Sequence, residues 1–164
     1  MILVKKNNTL IYKEKKYRCS LGKNGLNKAK TEGDKCTPIG LFSFGSLYVR
    51  TDRIKKLKTN FKYIPISKTM AWSDEPNSKD YNKLININYN HKEIFHRTDR
   101  IYDLILVVNY NIEPTIPHKG SAIFIHISKK DYSSTQGCIG LSQEDFIEIL
   151  LTLKPIDTIK IVEN

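Results

Sequence analysis

Two stretches in the second half of the chain, Tyr102 to Tyr110 and Ser121 to Ile127, are largely apolar and rich in β-branched residues. Asn111, Pro114, Pro117 and Gly120 bound them with turn-forming chemistry. Continuous rather than alternating apolarity predicts strands covered on both faces. Earlier, Leu10-Ile11-Tyr12 and Tyr17 to Leu21 read as short strands on either side of a charged turn, the second ending at Gly22 and Gly25. Ile39 to Val49 suits one or two strands, with a break near Gly45-Ser46. Asp74 to Asn82 contains Pro76, Asn77, Ser78 and Asp80 and reads as a loop. One helix is expected, because Ser142 with Asp145 forms an N-capping pattern and Phe146, Ile147, Leu150 and Leu151 share a helical face. Pro155 ends that helix, and Ile156 to Val162 reads as a last strand. The pattern predicts a mainly β fold with one or a few short helices.

The length of 164 residues suits a single domain over 1–164, large enough to bury a core without staples. No internal repeat, low-complexity tract or Pro/Gly-rich linker divides it. Leu104 to Val108, the longest uninterrupted apolar run of the later half, falls far short of the roughly 20 residues that a membrane-spanning helix needs. Met1-Ile2-Leu3-Val4 is followed at once by Lys5 and Lys6, which lacks the order of a secretory signal and by itself reads as cytoplasmic.

Charge adds a preference for polyanions. Lys and Arg number 27 against 17 acidic residues, a formal net charge of +10. Only five of the cations are Arg (18, 50, 53, 97 and 100), and the lysines are scattered. Base-edge readers favour the arginine fork, so a solvated basic face is the better reading and no specific nucleic-acid partner is expected.

The candidate chemistry lies between His126 and Cys138. Three cysteines, Cys19, Cys36 and Cys138, show no CxxC spacing, which speaks against a zinc site. Cys19 and Cys36 could pair in an exported chain, and the leftover thiol is a candidate nucleophile. His126 ends an apolar strand, and Cys138 follows a polar loop and opens another apolar segment. A strand, a loop and a returning strand can bring both side chains to one sheet edge, where the imidazole would take the thiol proton and hold the thiolate as an ion pair. That arrangement predicts a thiol ionising below about 8.5. Gly137 leaves room for a planar carbonyl, and the amides around Gly137 and Cys138 could hold an oxyanion. Against this stand the ordinary roles of a buried Cys as a small hydrophobe and of a strand His as a satisfied core residue. His91, His96 and His118 have no comparable Cys partner in sequence.

Two separated segments resemble the L,D-transpeptidase catalytic domain family of peptidoglycan cross-linking enzymes. Glu32-Gly33-Asp34-Lys35-Cys36-Thr37-Pro38-Ile39-Gly40-Leu41-Phe42 is similar to that family's G-D-x-x-T-P-x-G-x-F segment, and the His126 to Cys138 block is similar to its nucleophile region. Trp72-Ser73-Asp74-Glu75-Pro76, Tyr81-Asn82, His96-Arg97-Thr98-Asp99 and Tyr102-Asp103 look like one bacterial branch of it. The resemblance covers the chain from about Gly33 onward and implies a β-sandwich-like catalytic fold. It implies that Cys138 attacks a tetrapeptide stem, releases the terminal D-alanine and passes the acyl group to an amine of a second stem. His126 would be general base and then acid, oriented by a backbone carbonyl near Ile127 or Ser128. Arg97 would clamp a stem carboxylate or pair with Asp99 or Asp103, and Ser134 and Thr135 would bind substrate or shape the loop. Gly33, Asp34, Thr37, Pro38 and Gly40 read as structural, Cys36 as a bystander and Trp72 as core. Donor and acceptor stem peptides are the implied partners, no metal or organic cofactor is implied, and the implied location is the cell envelope. The commoner family form has Ser-His-Gly-Cys and an Arg or Asn beyond the Cys, with a longer His-to-Cys loop. Here Thr135-Gln136-Gly137-Cys138-Ile139-Gly140 stands instead, so all acid–base work falls on His126. Hydrolysis or amide exchange on the same thioester, and a non-enzymatic wall-polymer-binding module, are the alternatives.

Overall fold

In the computed structural model, which describes residues 1–88 and 92–164, fourteen strands and one α-helix are formed. His91 lies outside the described residues. The first strands are β1 (Ile2–Lys5), β2 (Thr9–Tyr12), β3 (Lys15–Arg18), β4 (Leu26–Asn27) and β5 (Thr37–Pro38). The middle of the chain supplies β6 (Gly40–Val49), β7 (Tyr63–Pro65), β8 (Met70–Ser73), β9 (Leu84–Asn86) and β10 (Lys92–Ile94). The last are β11 (Leu104–Val108), β12 (Phe124–Ile127), β13 (Ile139–Leu141) and β14 (Thr158–Val162), with α1 (Gln143–Leu150) before β14.

The main sheet runs β13-β12-β11-β6-β14-β1-β2-β3, with β7 added beside β6. Its two ends meet. Just beyond β3, Ser20 exchanges backbone hydrogen bonds with Gly140 of β13, at 2.8 and 2.9 Å. The sheet is thereby rolled into a barrel, the form that the expected sandwich-like β fold takes here. Ile2, Val4, Leu10, Leu47, Leu104, Leu106, Ile125 and Ile139 fill the inside, and Phe146, Ile149 and Leu150 of α1 pack onto the same cluster.

All five residues of β11 and all four of β12 are buried, as continuous apolarity predicts. Their second face is covered by Met70 and Trp72 of β8, in the small sheet β10-β8-β9, and by Phe95 just beyond β10. Between the layers Phe95, wholly buried, meets four rings at 5.2 to 6.2 Å: Tyr48, Trp72, Tyr102 and Phe124. This aromatic layer is the wall on which the candidate site is built.

Several local expectations are corrected. Of Ile39 to Val49, Gly40–Val49 forms the single ten-residue strand β6, and the expected break is a bulge, where the β6–β11 register slips between Leu106 and Val108. A Cβ at Gly45 would stand 2.7 Å from Asn109 Oδ1, so the glycine admits a close neighbour there. The helix keeps its Ser142 cap, whose hydroxyl accepts from the Asp145 amide at 3.1 Å. It ends at Leu150 rather than running to Pro155, and its buried stripe is Phe146, Ile149 and Leu150, with Leu151 46% exposed. Ile156 is 87% exposed and precedes β14. The three cysteines are free, so Cys19 and Cys36 are not paired.

Candidate active site

β12 and β13 are hydrogen-bonded neighbours running parallel, with Ile125 beside Ile139 and His126 beside Gly140. The segment from Cys138 is therefore not a returning antiparallel strand. Residues 128–138 first travel back along β12, and backbone bonds pin them: the Thr135 amide donates to Leu21 O and the Lys23 amide to Thr135 O, both at 2.9 Å. Arg18 adds a cation–π contact over Tyr132 at 4.4 Å. Side chains alternate along strands. Phe124, His126 and Cys138 consequently face the aromatic layer, while Ile125, Ile127, Ile139 and Leu141 face the barrel interior.

His126 and Cys138 line one cavity of about 330 Å³, together with Tyr102, Arg97, Ser134 and Thr135. The imidazole Nδ1 lies 2.9 Å from Ile127 O, the orienting carbonyl expected from the resemblance. With Nδ1 donating, Nε2 carries the lone pair. Tyr102 backs the ring edge-on at 5.5 Å and donates its hydroxyl to Glu93 Oε2 at 3.3 Å. The thiol of Cys138 donates to Ala122 O at 3.1 Å.

Burial pushes the Cys138 thiol up to about 12 and the His126 imidazole down to about 4. The resting pair is thus neutral thiol and neutral imidazole, which corrects the expected thiolate–imidazolium pair. It also has a consequence for stability. An unfolded His126 titrates near 6.5, so below that pH the unfolded chain binds the proton that the folded chain refuses. Stability from this residue is complete above pH 6.5 and is lost progressively as pH falls toward 4, by about 3 kcal/mol. Denaturant titrations at pH 7 and 4.5 should show a smaller acid loss in His126→Gln than in the wild type.

Gly137 holds the turn before Cys138 against the Cys36 segment. Its φ is +136°, and a Cβ there would lie 2.8 Å from Cys36 O. Gly137→Ala should therefore displace Cys138 and lower thiol-dependent turnover at least about tenfold, measurable beside an unchanged far-ultraviolet spectrum. Thr135 works inside the same turn: its hydroxyl donates to Cys138 O at 2.6 Å and accepts from the Gly137 amide at 3.1 Å. Ser134 is exposed on the rim. Arg97 lines the cavity while gripping Asp99 through two bonds of 2.9 and 2.6 Å, and Asp103 goes instead to Arg53 at 2.8 Å.

The segment around Gly33 is held by its own hydrogen bonds. Asp34 Oδ1 accepts from Lys30 Nζ at 2.6 Å and from the Cys36 amide at 2.9 Å. Burial would raise this carboxyl, but those bonds prevail and hold it below the usual carboxylate range. Thr37 Oγ1 takes the Gly22 amide at 2.9 Å, and the Cys36 thiol does not line the cavity. Sequence reasoning missed Glu93, and it placed Glu32 with the Gly33 segment without assigning it to the cavity wall that both line. Burial first, and then the charge of Asp74, push Glu93 up. No periodic signal singles out a lone Glu on a three-residue strand. His96 and His118 do not line the cavity. Among the described residues, no group of three or more His, Cys, Asp or Glu is placed to hold a metal ion.

A family model for YkuD, the L,D-transpeptidase catalytic domain, matches residues 1–161. The chain belongs to this family. The match takes in both the Gly33–Phe42 segment and the His126–Cys138 block of the YkuD domain. No curated protein matches the chain. Solved structures similar to it include an LD transpeptidase in complex with imipenem (TM-score 0.48) and L,D-transpeptidase 1 of Mycobacterium tuberculosis (0.45), each 14% identical over 98% of this chain. An L,D-transpeptidase from Mycobacterium smegmatis scores 0.43 at the same identity and coverage. The YkuD domain described here spans 57 to 58% of the length of those chains.

Proposed function

We propose that this YkuD domain is a cysteine acyltransferase acting on peptidoglycan stem peptides. The observation that carries the reading is that His126 on β12 and Cys138, just before the parallel neighbour β13, line one cavity, with Ile127 O orienting the imidazole. In the first step the thiol proton passes to His126 Nε2 and sulfur attacks the carbonyl that precedes the terminal D-alanine. The imidazolium then gives its proton to the leaving amine, and a thioester remains on Cys138. An amine of a second stem attacks that thioester, loses its proton to His126 and restores the thiol.

The Gly137 amide already donates to Thr135 Oγ1, so the Cys138 amide is assigned to the oxyanion. Arg97 keeps Asp99 and presents its guanidinium at the cavity for a stem carboxylate, with Ser134 at the rim. Thr135 contributes by holding the turn. We place the protein in the cell envelope, where such stems are found. Among the described residues, no helix is long and apolar enough to cross a membrane.

The test is product analysis with a stem tetrapeptide. With a second stem present, release of D-alanine together with a cross-linked dimer is expected. Release without transfer would make the protein a carboxypeptidase. No release would overturn the proposal.

A further inference from the structure

Trp72-Ser73 and Tyr81-Asn82 stand out in the sequence yet have no part in the acyl-transfer scheme. Asn82 is 2% exposed, and its amide group makes four hydrogen bonds. Oδ1 accepts from Trp72 Nε1 at 2.9 Å and from the Ala122 amide at 3.0 Å. Nδ2 donates to Tyr110 O at 3.0 Å and to Asn111 O at 2.7 Å. One side chain therefore ties together β8, the end of the β11 segment and the chain entering β12.

Two of the residues tied in this way are left-handed without being glycine: Asn111 has φ +53° and Ala122 φ +52°, while Asn82 itself has φ +57°. Asparagine tolerates that region, but alanine does so only where its surroundings impose it. The Asn82 bond to the Ala122 amide is such a constraint. The consequence falls on the next peptide group, because Ala122 O is the atom that accepts the Cys138 thiol proton at 3.1 Å.

We infer that Asn82 is a positioning residue for Cys138: by holding Ala122 left-handed it aims the Ala122 carbonyl at Sγ and parks the thiol proton there, away from His126. The inference rests on Cys138 being the nucleophile. In the parked state the carbonyl stabilises the neutral thiol and opposes a thiolate, so chance electrophiles meet a protonated sulfur. Activation needs one exchange, in which the S–H proton leaves Ala122 O for His126 Nε2, giving thiolate and imidazolium. Besides Ala122 O, the thiol meets the Phe124 backbone, which favours the thiolate. Of the charged or titratable groups, Glu93 on β10 opposes the thiolate, Lys30 before β5 favours it, Tyr102 feels its charge, and Glu32, Asp74, Arg97, His126 and Lys129 line the same cavity. None of them belongs to the Asn82 network, so their influence stays when that network is altered.

The experiment is the pH profile of Cys138 alkylation by iodoacetamide, read by peptide mass mapping on the full chain. Ala122→Val makes the left-handed conformation untenable, and Asn82→Gly removes all four bonds without opposing its own positive φ. Both should lower the midpoint by about one unit and speed alkylation near neutral pH severalfold. Ala122→Gly, which adopts the same backbone conformation freely, should keep the wild-type midpoint. Folded Ala122→Val with a wild-type midpoint would overturn the inference. Should both variants fail to fold, the infrared S–H band of Cys138, taken as the difference between wild type and Cys138→Ala, decides. A band shifted to lower frequency supports the bond to Ala122, and a free-thiol band refutes it. Alkylation needs no stem peptide. A failed transfer assay would thus count against the proposed function alone, and an unmoved midpoint against Asn82 alone.

Discussion

Replacing Cys138 with alanine is expected to abolish release of D-alanine from a stem tetrapeptide, by at least about a thousandfold, while leaving the fold in place. The size follows from the chemistry: no other described cysteine lines the cavity, so no sulfur remains to form the thioester. The side chain is small, and its loss removes one buried hydrogen bond to Ala122 O, a cost of about 1 kcal/mol. Cys36→Ala is the control, since that thiol contacts Asn24 O and Asp34 O in the neighbouring turn. Its turnover should match the wild type. His126→Ala should lose about as much as Cys138→Ala, because the two groups act as a unit, and the double variant should lose little more.

Phe95→Ala should cost about 4 kcal/mol and lower the melting temperature by about 10 °C or more. Phe95 has no exposed surface and touches four rings, so the cavity left by its removal cannot collapse without moving Trp72, Tyr102 or Phe124. Tyr102 backs the imidazole and Trp72 holds Asn82, so the variant should also lose activity at temperatures where it stays folded. Ile156→Ala, at an exposed position, should change stability by less than about 0.5 kcal/mol. Thermal unfolding of the two variants beside the wild type measures the contrast.

The parts of this fold legible in the sequence are those governed by local pattern. Continuous apolarity marked β11 and β12 as doubly covered, and they are. The Ser142 cap was readable because capping depends on residues three apart. What escaped depends on partners distant in the chain. The parallel pairing of β12 with β13 is set by the bonds of residues 20–23 to Thr135 and Gly140, more than a hundred positions away. Leu151 was misplaced on the buried helix face because tertiary packing selected Ile149, which a periodicity count ranks no differently. In the site, His126 and Cys138 were visible as residue types with a chemistry, and Ile127 O as the implied orienting group. Their protonation states were not, since burial and not spacing determines them. Asn82 falls in a segment that carried the resemblance, but its bonds to Trp72, Tyr110, Asn111 and Ala122, like the Glu93 contact with Tyr102, follow from the folded chain and not from the motif.

The central claim is that Cys138 carries the acyl group, and a trapped intermediate tests it most directly. The protein is mixed with a stem tetrapeptide without acceptor, quenched in acid and mapped by mass spectrometry. A tripeptide thioester confined to Cys138, and missing in His126→Ala, is the expected result. An acyl group on any other residue, or D-alanine release that persists in Cys138→Ala, would contradict it.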